Sequence, residues 1–225
     1  MCSEDQGAGQ LSNVAKVYDK LASTYDATFV NETAQAEDRE IVSRIKALDL
    51  SQMSVLDLGC GTGFLPDHMK FWDYTGLDIS EGMIARAQEK HPLHDFQVGD
   101  MADLSCFAPS IFRYVLCTFG GFSYVMQPEK CIDEIYRVLQ PGGRIFLQVL
   151  GERYYKRRTH IAPQCTHLGY TPAQLRHLFR AFDEVTITGM NWLGDQLPWS
   201  IAWERPIARR WPQLCYYLVV EGRKA

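Results

Sequence analysis

The run Val55-Leu56-Asp57-Leu58-Gly59-Cys60-Gly61-Thr62-Gly63-Phe64 constrains this chain more than any other stretch. Apolar residues flank an acid, as at the end of a strand buried on both faces. Three glycines then alternate with small residues, and Phe64, Leu65, His68, Met69 and Trp72 follow in an amphipathic helix pattern. A strand that ends in glycines and opens a helix gathers bare backbone N–H groups and a helix N-terminus at one point. Glycine permits the positive-φ turns and the close approach of another molecule's atoms. A plain strand-to-helix turn needs one glycine, and an alternating triplet behind Asp57 exceeds that need.

The rest of the chain alternates helix and strand signals without an internal repeat. Helical spacing is expected from Ser12, after a frayed start, with Val14, Val17, Leu21 and Tyr25 near one face, and again over about 33–48. Short apolar runs predict strands at about 53–58, 74–77, 94–98, 114–118 and 144–150. Ser80 is a candidate N-cap for a helix carrying Met83, Ile84 and Ala87. Ile132, Ile135, Tyr136 and Leu139 mark a helix that opens on Pro128 and stops at Pro141-Gly142-Gly143. Thr171-Pro172-Ala173-Gln174 reads as a capping box for a helix burying Leu175, Leu178, Phe179 and Phe182. Two late strands, Asp183 to Met190 and Leu214 to Val220, are joined by a segment with no clear helix and are expected to pair antiparallel. The pattern predicts a three-layer α/β fold. Its open sheet of seven strands is mostly parallel, with an antiparallel C-terminal strand and helices on both faces. Ligands of such sheets sit beyond the strand C-terminal ends. Asp57, Asp78 and Asp100 all fall there.

Composition narrows the function. At 225 residues the chain suits one sizeable core, and a single domain is expected over 1–225. A net charge of −4 argues against generic nucleic-acid binding. Residues 1–150 hold 12 Lys+Arg against 21 Asp+Glu, whereas residues 151–225 hold 11 against 6, so an anionic substrate stays open. Seven scattered cysteines, odd in number and without C-x-x-C spacing, suit reduced thiols in the cytoplasm. The start of the chain lacks an apolar signal core, and no stretch approaches 18 apolar residues.

The glycine turn suits NAD or another adenosyl compound. The dinucleotide fingerprint wants G-x-G-x-x-G, and here glycine comes one position early, with Phe64 in the third glycine's place. Asp78, 15 residues past Gly63, stands where a carboxylate can take both ribose hydroxyls. Asp57-Leu58-Gly59-Cys60-Gly61-Thr62-Gly63 resembles the signature of the class I S-adenosylmethionine-dependent methyltransferases. So do Leu77-Asp78-Ile79-Ser80, Gly99-Asp100-Met101 and Leu139-Gln140-Pro141-Gly142-Gly143, in that order. The segment from Tyr18 to Asp26 resembles the opening helix of the small-molecule and quinone-type branch.

The resemblance implies S-adenosyl-L-methionine as cofactor and a role for each residue. Asp78 would accept from the ribose hydroxyls. Gly59, Cys60, Gly61 and Gly63 would form the turn against the methionine portion, ordered by Asp57, which would also meet the ammonium. Ile79 and Met83 would sandwich the adenine, although both also suit plain core. Asp100 and the Met101 N–H would hold the adenine edge. Thr118 and Phe119 would lie beside the transferring methyl, and Tyr18 and Tyr25 would cover the carboxylate end. It also implies an N-terminal helical cap over 1–50, a cofactor half over 51–150 and a substrate-side half over 151–225.

The substrate wall is expected after the fourth and fifth strands, on the opening helix and in the late loop. Phe122, Tyr124, Tyr155, Trp192 and Trp199 make it aromatic there, which suits a flat or apolar small molecule. His160 and His167, past the fifth strand, are candidate bases, because imidazole titrates near neutrality. Thr118-Phe119-Gly120-Gly121 departs from the Asn/Asp-Pro-Pro-aromatic motif of nucleic-acid amino-group methyltransferases, so DNA is not an expected partner. His91, His94, Cys165 and His167 supply too few ligands for a closed metal site. The expected activity is methylation of a small molecule, oxygen ahead of nitrogen or carbon. Methylation of a protein or RNA, and cofactor binding without catalysis, are the alternatives.

Overall fold

The computed structural model describes residues 4–28, 30–155, 165, 167–191 and 205–225. Seven strands form one sheet: β1 Ser54–Leu58, β2 Asp73–Asp78, β3 Asp95–Val98, β4 Phe112–Cys117, β5 Leu139–Leu150, β6 Asp183–Met190 and β7 Tyr217–Arg223. Their order is β3-β2-β1-β4-β5-β7-β6. The first five run parallel, and β7 runs antiparallel to both neighbours. The mostly parallel sheet with a reversed last strand is therefore the expected one. The chain builds outward from β1 to β3 on one side and from β4 on the other. The gap above β1 and β4 is the switch point, where ligands of such sheets sit.

Side-chain alternation puts helices on both faces. Leu56, Leu58, Val115 and Cys117 point to one face, against α6 (Pro128–Val138) and, beyond the short α7 (Glu152–Tyr155) after β5, α8 (Pro172–Leu178). Val55, Leu116 and Phe146 point to the other, against α3 (Glu32–Lys46), α4 (Phe64–His68) and α5 (Glu81–Lys90). Central strands covered on both sides read as nearly unbroken apolar runs, which made them visible in the sequence. Caps set the helix starts. Asn31 Oδ1 accepts from the Ala34 N–H at 2.9 Å, and Ser80 Oγ from the Met83 N–H at 3.1 Å. Both arms of the expected Thr171–Gln174 capping box are present.

Several boundaries differ from expectation. The first helix, α1 (Glu4–Leu21), starts well before Ser12. It stops at a turn, and α2 (Tyr25–Thr28) follows as a separate piece. Helix α4 ends at His68, because Met69 is already extended on the way to β2. Trp72 then points to solvent at 77% exposure. Pro141-Gly142-Gly143 lies inside β5 rather than before it. The Gly142 N–H donates to Lys224 O at 3.0 Å and the Lys224 N–H to Gly143 O at 2.8 Å, which clips this turn to the end of β7. Between β6 and β7 the chain forms α9 (Arg205–Arg210), where no helix is expected.

The N-terminal helices are tied to distant parts of the chain. Asp19 Oδ1 on α1 accepts from Ser80 Oγ at 2.6 Å and from the Gly82 N–H at 2.9 Å. On α3, Glu40 is 4% exposed and is bracketed by Arg44 at 2.7 Å and Arg205 at 2.8 Å. Two guanidinium partners are what a buried carboxylate needs to stay ionised, and they hold it below its usual range despite burial. Arg44 also donates to Thr188 Oγ1 and to Gly189 O of β6.

Candidate functional site

The glycine turn is built as the spacing suggests. Gly59, Gly61 and Gly63 have φ of 71°, 55° and 86°, the left-handed region that side chains avoid. A Cβ on Gly61 would meet nothing within 4 Å, so this backbone faces open space. A Cβ on Gly63 would strike His91 Cδ2 at 2.8 Å. Gly63 caps α4 from behind, toward α5, and does not line the cavity described below.

The three strand-tip acids converge on this turn. Asp57 is 2% exposed, and one oxygen accepts from Tyr74 Oη at 2.7 Å while Oδ1 has no partner. Burial pushes its carboxyl up to about 7; the Tyr74 hydroxyl opposes this and the charge of Asp78 adds to it. Asp78 Oδ1 accepts from the Ser80 N–H and Oδ2 from the Gly61 N–H, both at 2.9 Å, so the tip of β2 also orders the glycine turn. Burial raises its carboxyl above the ordinary value, against those backbone bonds. Asp100 Oδ1 accepts from the Ala102 N–H at 2.9 Å, which shapes the turn after β3.

Above these residues, at the switch point, lies a cavity of about 840 Å³. It collects Asp57, Gly59, Cys60, Gly61, Asp78, Ile79, Met83, Asp100, Met101, Thr118, Phe119, Tyr18 and Tyr25, every expected cofactor residue except Gly63. Tyr18 and Tyr25 stand 6.1 Å apart, and Tyr124 meets Tyr18 edge-on at 6.2 Å. Burial pushes both Tyr18 and Tyr25 hydroxyls well above the usual range, so they stay protonated donors. Phe119 takes a positive φ of 53°, its N–H donates to Gln148 Oε1 at 2.7 Å, and its ring meets Phe64 at 4.8 Å. A strained residue held this firmly beside a cavity marks a shaped wall.

Of the residues expected in the substrate wall, Tyr124 lines the cavity and Phe122 does not. The 3₁₀ turn Gly121–Tyr124 sends Tyr124 to the cavity but drives Phe122 into the core, fully buried beside Tyr170 and Phe179. Phe122 is thus a core residue and does not line the cavity. His167 does not line it either. The Leu168 N–H donates to Ser123 O at 2.7 Å, pulling this segment onto the 3₁₀ turn and leaving His167 buried behind Tyr124, ring centroids 5.7 Å apart. His160, Trp192 and Trp199, and the side chain of Tyr155, lie outside the described residues.

The far end of the cavity is formed instead by residues the spacing did not single out. Asn31, Thr33, Ala34, Glu37 and Asp38 lie on one face of α3 and its cap, and His68, Leu150 and Tyr217 face them. Half-burial pushes the Asp38 carboxyl up to about 6, against the pull of His68 and Arg39. Glu37, 7% exposed, accepts from Asn191 Nδ2. One signal was available. Glu37 shares the apolar side of α3 with Ile41 and Ile45, and an acid at such a position wants a reason. At the rim, Asp26 accepts from Thr62 Oγ1 and pairs with Lys90 at 3.1 Å, and Lys90 also holds Asp67 at 2.6 Å. These bonds outweigh burial and lower the Asp26 carboxyl. Three described basic residues of the C-terminal third are engaged elsewhere: Arg205 holds Glu40, Arg223 holds Glu184, and Lys224 holds the carbonyls of Tyr136 and Leu139. Among the described residues no group of three or more His, Cys, Asp or Glu is placed to hold a metal, and no helix is long and apolar enough to cross a membrane.

A doubly wound sheet with a glycine turn, strand-tip acids and a switch-point cavity defines a nucleotide-binding α/β protein. Residues 55–143 match the family described as a methyltransferase domain. The chain is 30% identical over 141 residues to the biotin biosynthesis bifunctional protein BioHC of Cellvibrio japonicus, covering 61% of this chain and 27% of that one. It is 33% identical over 139 residues to a demethylmenaquinone methyltransferase of Paenarthrobacter aurescens, covering 60% and 53%. The chain thus spans about half or less of the length of these two relatives. Among solved structures, an S-adenosylmethionine-dependent methyltransferase of Thermotoga maritima, a possible histamine N-methyltransferase, shares the fold with a TM-score of 0.69. It is 17% identical, covering 94% of this chain and 99% of that one. The methyltransferase-domain match and the relatives named as methyltransferases agree with the resemblance read from the sequence, to the class I S-adenosylmethionine-dependent methyltransferases with S-adenosyl-L-methionine as cofactor.

Proposed function

We propose that this protein transfers the methyl group of S-adenosyl-L-methionine to a small molecule bound at the far end of the switch-point cavity. One observation carries the reading: the 840 Å³ space runs from the strand-tip acids, through the glycine turn, to a second wall on α3 and β7. The first end fits the cofactor. Asp57 presents an unpartnered buried oxygen to meet an ammonium, and Gly61 presents bare backbone. Asp78 and Asp100 supply acceptors for the ribose hydroxyls and the adenine amino group, between Ile79, Met83 and Met101. Tyr18, Tyr25, Thr118 and Phe119 close the boundary between the two ends.

The bound cofactor supplies an electrophilic sulfonium methyl. The chain's own task is to orient the acceptor and exclude water. The rings of Phe64, Phe119, Tyr25 and Tyr124 serve both, because they exclude water and give a flat acceptor surfaces to lie on. The expected imidazole base is not supported at His167, which sits behind the wall. His68 is the described histidine that faces the cavity. The division into a helical cap over 1–50, a cofactor half and a substrate-side half stays within this reading, with residues 31–38 added to the substrate side. Seven scattered cysteines, odd in number and without C-x-x-C spacing, support a reducing, cytoplasmic setting.

The test has two parts. S-adenosylhomocysteine should bind the purified protein in a calorimeter, and Asp78→Ala should weaken it by about 10- to 100-fold, the worth of one or two charge-assisted hydrogen bonds. Methyl-labelled cofactor in an extract should then deliver label to the small-molecule fraction. No heat on titration, or label confined to protein or RNA, refutes the proposal.

A further inference from the structure

The far end of the cavity holds an imidazole whose hydrogen is already placed. His68 closes α4 and lines the cavity. Its Nδ1 stands 2.9 Å from Phe64 O. A carbonyl oxygen accepts and does not donate, so Nδ1 carries a hydrogen. The neutral ring then has its lone pair on Nε2, the form that a general base needs. Packing fixes the ring as well. It lies against Phe64 with centroids 4.3 Å apart and planes at 33°, and Phe64 meets Phe119 edge-on at 4.8 Å. Three rings therefore run from the end of α4 to the residues just past β4, where Thr118 and Phe119 line the cavity.

The neighbouring acids differ. Asp67, next in the chain, is already engaged by Lys90 at 2.6 Å and by His91 at 2.9 Å. Asp38 of α3 lines the same end of the cavity as His68. Half-burial pushes its carboxyl up to about 6, and the charge of His68 opposes this more strongly than that of its own neighbour Arg39. The attraction is mutual, so a carboxylate on Asp38 steadies positive charge on the ring. We propose that the acceptor carries a hydroxyl group on a flat ring and that His68 Nε2 takes the hydroxyl proton, with Asp38 steadying the charge that the imidazole acquires. This deepens the methyl-transfer reading above and rests on it. His68 is then a catalytic residue, and Asp38 a positioning residue that acts through it.

The step balances. The O–H bond breaks as its proton forms an N–H bond on Nε2. The freed oxygen pair forms the new O–C bond, and the pair of the breaking C–S bond stays on sulfur. Positive charge leaves sulfur and appears on the imidazole, at the end of the cavity that Asp38 lines. His68 is exposed, so water takes the proton and restores the base.

The test uses the intact protein saturated with S-adenosylhomocysteine, and its first step is that saturation. No binding there defeats the methyl-transfer reading, and this inference falls with it. Phenol and anisole are then titrated by calorimetry. They differ by the one methyl group that the reaction adds, and only phenol can donate to Nε2. Phenol should bind about three- to tenfold more tightly, the worth of one net hydrogen bond. His68→Ala should erase that preference while leaving the affinity for S-adenosylhomocysteine within about twofold. Proton transfer is read separately, with methyl-labelled cofactor and the small-molecule fraction of an extract. His68→Ala should deliver label at least about 100-fold more slowly, and added imidazole should restore part of the lost rate. Asp38→Asn should slow delivery by about tenfold, and imidazole should not restore it. Phenol binding no better than anisole, a preference that survives His68→Ala, or a rate in that variant within about threefold of the parent overturns the proposal. So does a loss that imidazole leaves unchanged, because a structural role alone would produce it. If His68→Ala does not fold, His68→Gln, which has no basic nitrogen, takes its place in both the phenol titration and the rate measurement.

Discussion

Replacing Asp57 by asparagine should stabilise the ligand-free protein and weaken its hold on the cofactor. The carboxylate is 2% exposed with one oxygen bonded only to Tyr74 and the other to nothing. Burial raises it from its ordinary 3.8 to about 7. Below about pH 4 the group is protonated in both folded and unfolded chains and costs nothing. As the pH rises, the unfolded carboxylate ionises first and the folded one keeps its proton, so stability falls until about pH 7 and is flat above. Three pH units at about 1.4 kcal/mol each set a ceiling of roughly 4 kcal/mol. Asparagine has the same shape, can still accept from Tyr74, and does not titrate. Its advantage over the parent should grow from about 1 kcal/mol near pH 4.5 to about 2–4 kcal/mol at pH 8, or roughly 5–15 °C in melting temperature. Urea unfolding of both proteins from pH 4.5 to 8.5 measures the difference directly. In parallel, calorimetry should show S-adenosylhomocysteine binding at least about tenfold more weakly, because an amide N–H replaces the acceptor offered to an ammonium. An asparagine variant less stable than the parent at pH 8, or an advantage that ignores pH, would refute the reasoning. The trade of stability for an ion-binding oxygen is one that functional sites commonly make.

Three other substitutions test the scaffold. Gly63→Ala places a methyl group at a φ of 86° and against His91, itself held by Asp67. It should cost about 1–3 kcal/mol in unfolding experiments, and a loss under ~0.5 kcal/mol would show the turn to be more pliant than described. Asp19→Ala removes the hydrogen bonds to Ser80 and Gly82 that dock α1 on α5. Limited proteolysis should then cut faster within residues 4–28 while the sheet stays protected, and an unchanged cleavage pattern would count against that tether. Thr171→Ala breaks the capping box of α8 and should lower stability by about 1 kcal/mol with an unchanged urea dependence; no loss would mean that solvent caps the helix equally well.

The end proposed for the cofactor was legible in the sequence because its signals are local. A strand buried on both faces must be apolar, a backbone that turns three times through positive φ demands glycine, and an acid two residues before the first glycine needs no distant partner to be noticed. The end proposed for the acceptor was not legible, because its parts meet only in three dimensions. Glu37 is bound by Asn191 and Glu40 by Arg205, contacts across more than 150 positions that leave no local pattern. Phe122 and Tyr124 look alike as aromatic residues after a strand, and only the 3₁₀ turn decides which faces the cavity. The start of α1 was missed for a different reason. Residues 4–11 carry few apolar side chains, so helical spacing has little to register there.

The wiring of α3 has a consequence for how the protein is made. This helix emerges early in synthesis, yet part of its seat consists of Thr188 and Gly189 of β6, Asn191, Arg205 of α9 and Tyr217 of β7. A nascent chain can assemble β1 to β4 and shape the glycine turn while those residues are still in the ribosome. It cannot yet satisfy Glu40 or build the back wall. The half that would grip the cofactor therefore matures during translation, and the half that would choose the methyl acceptor is finished only when the last strands arrive.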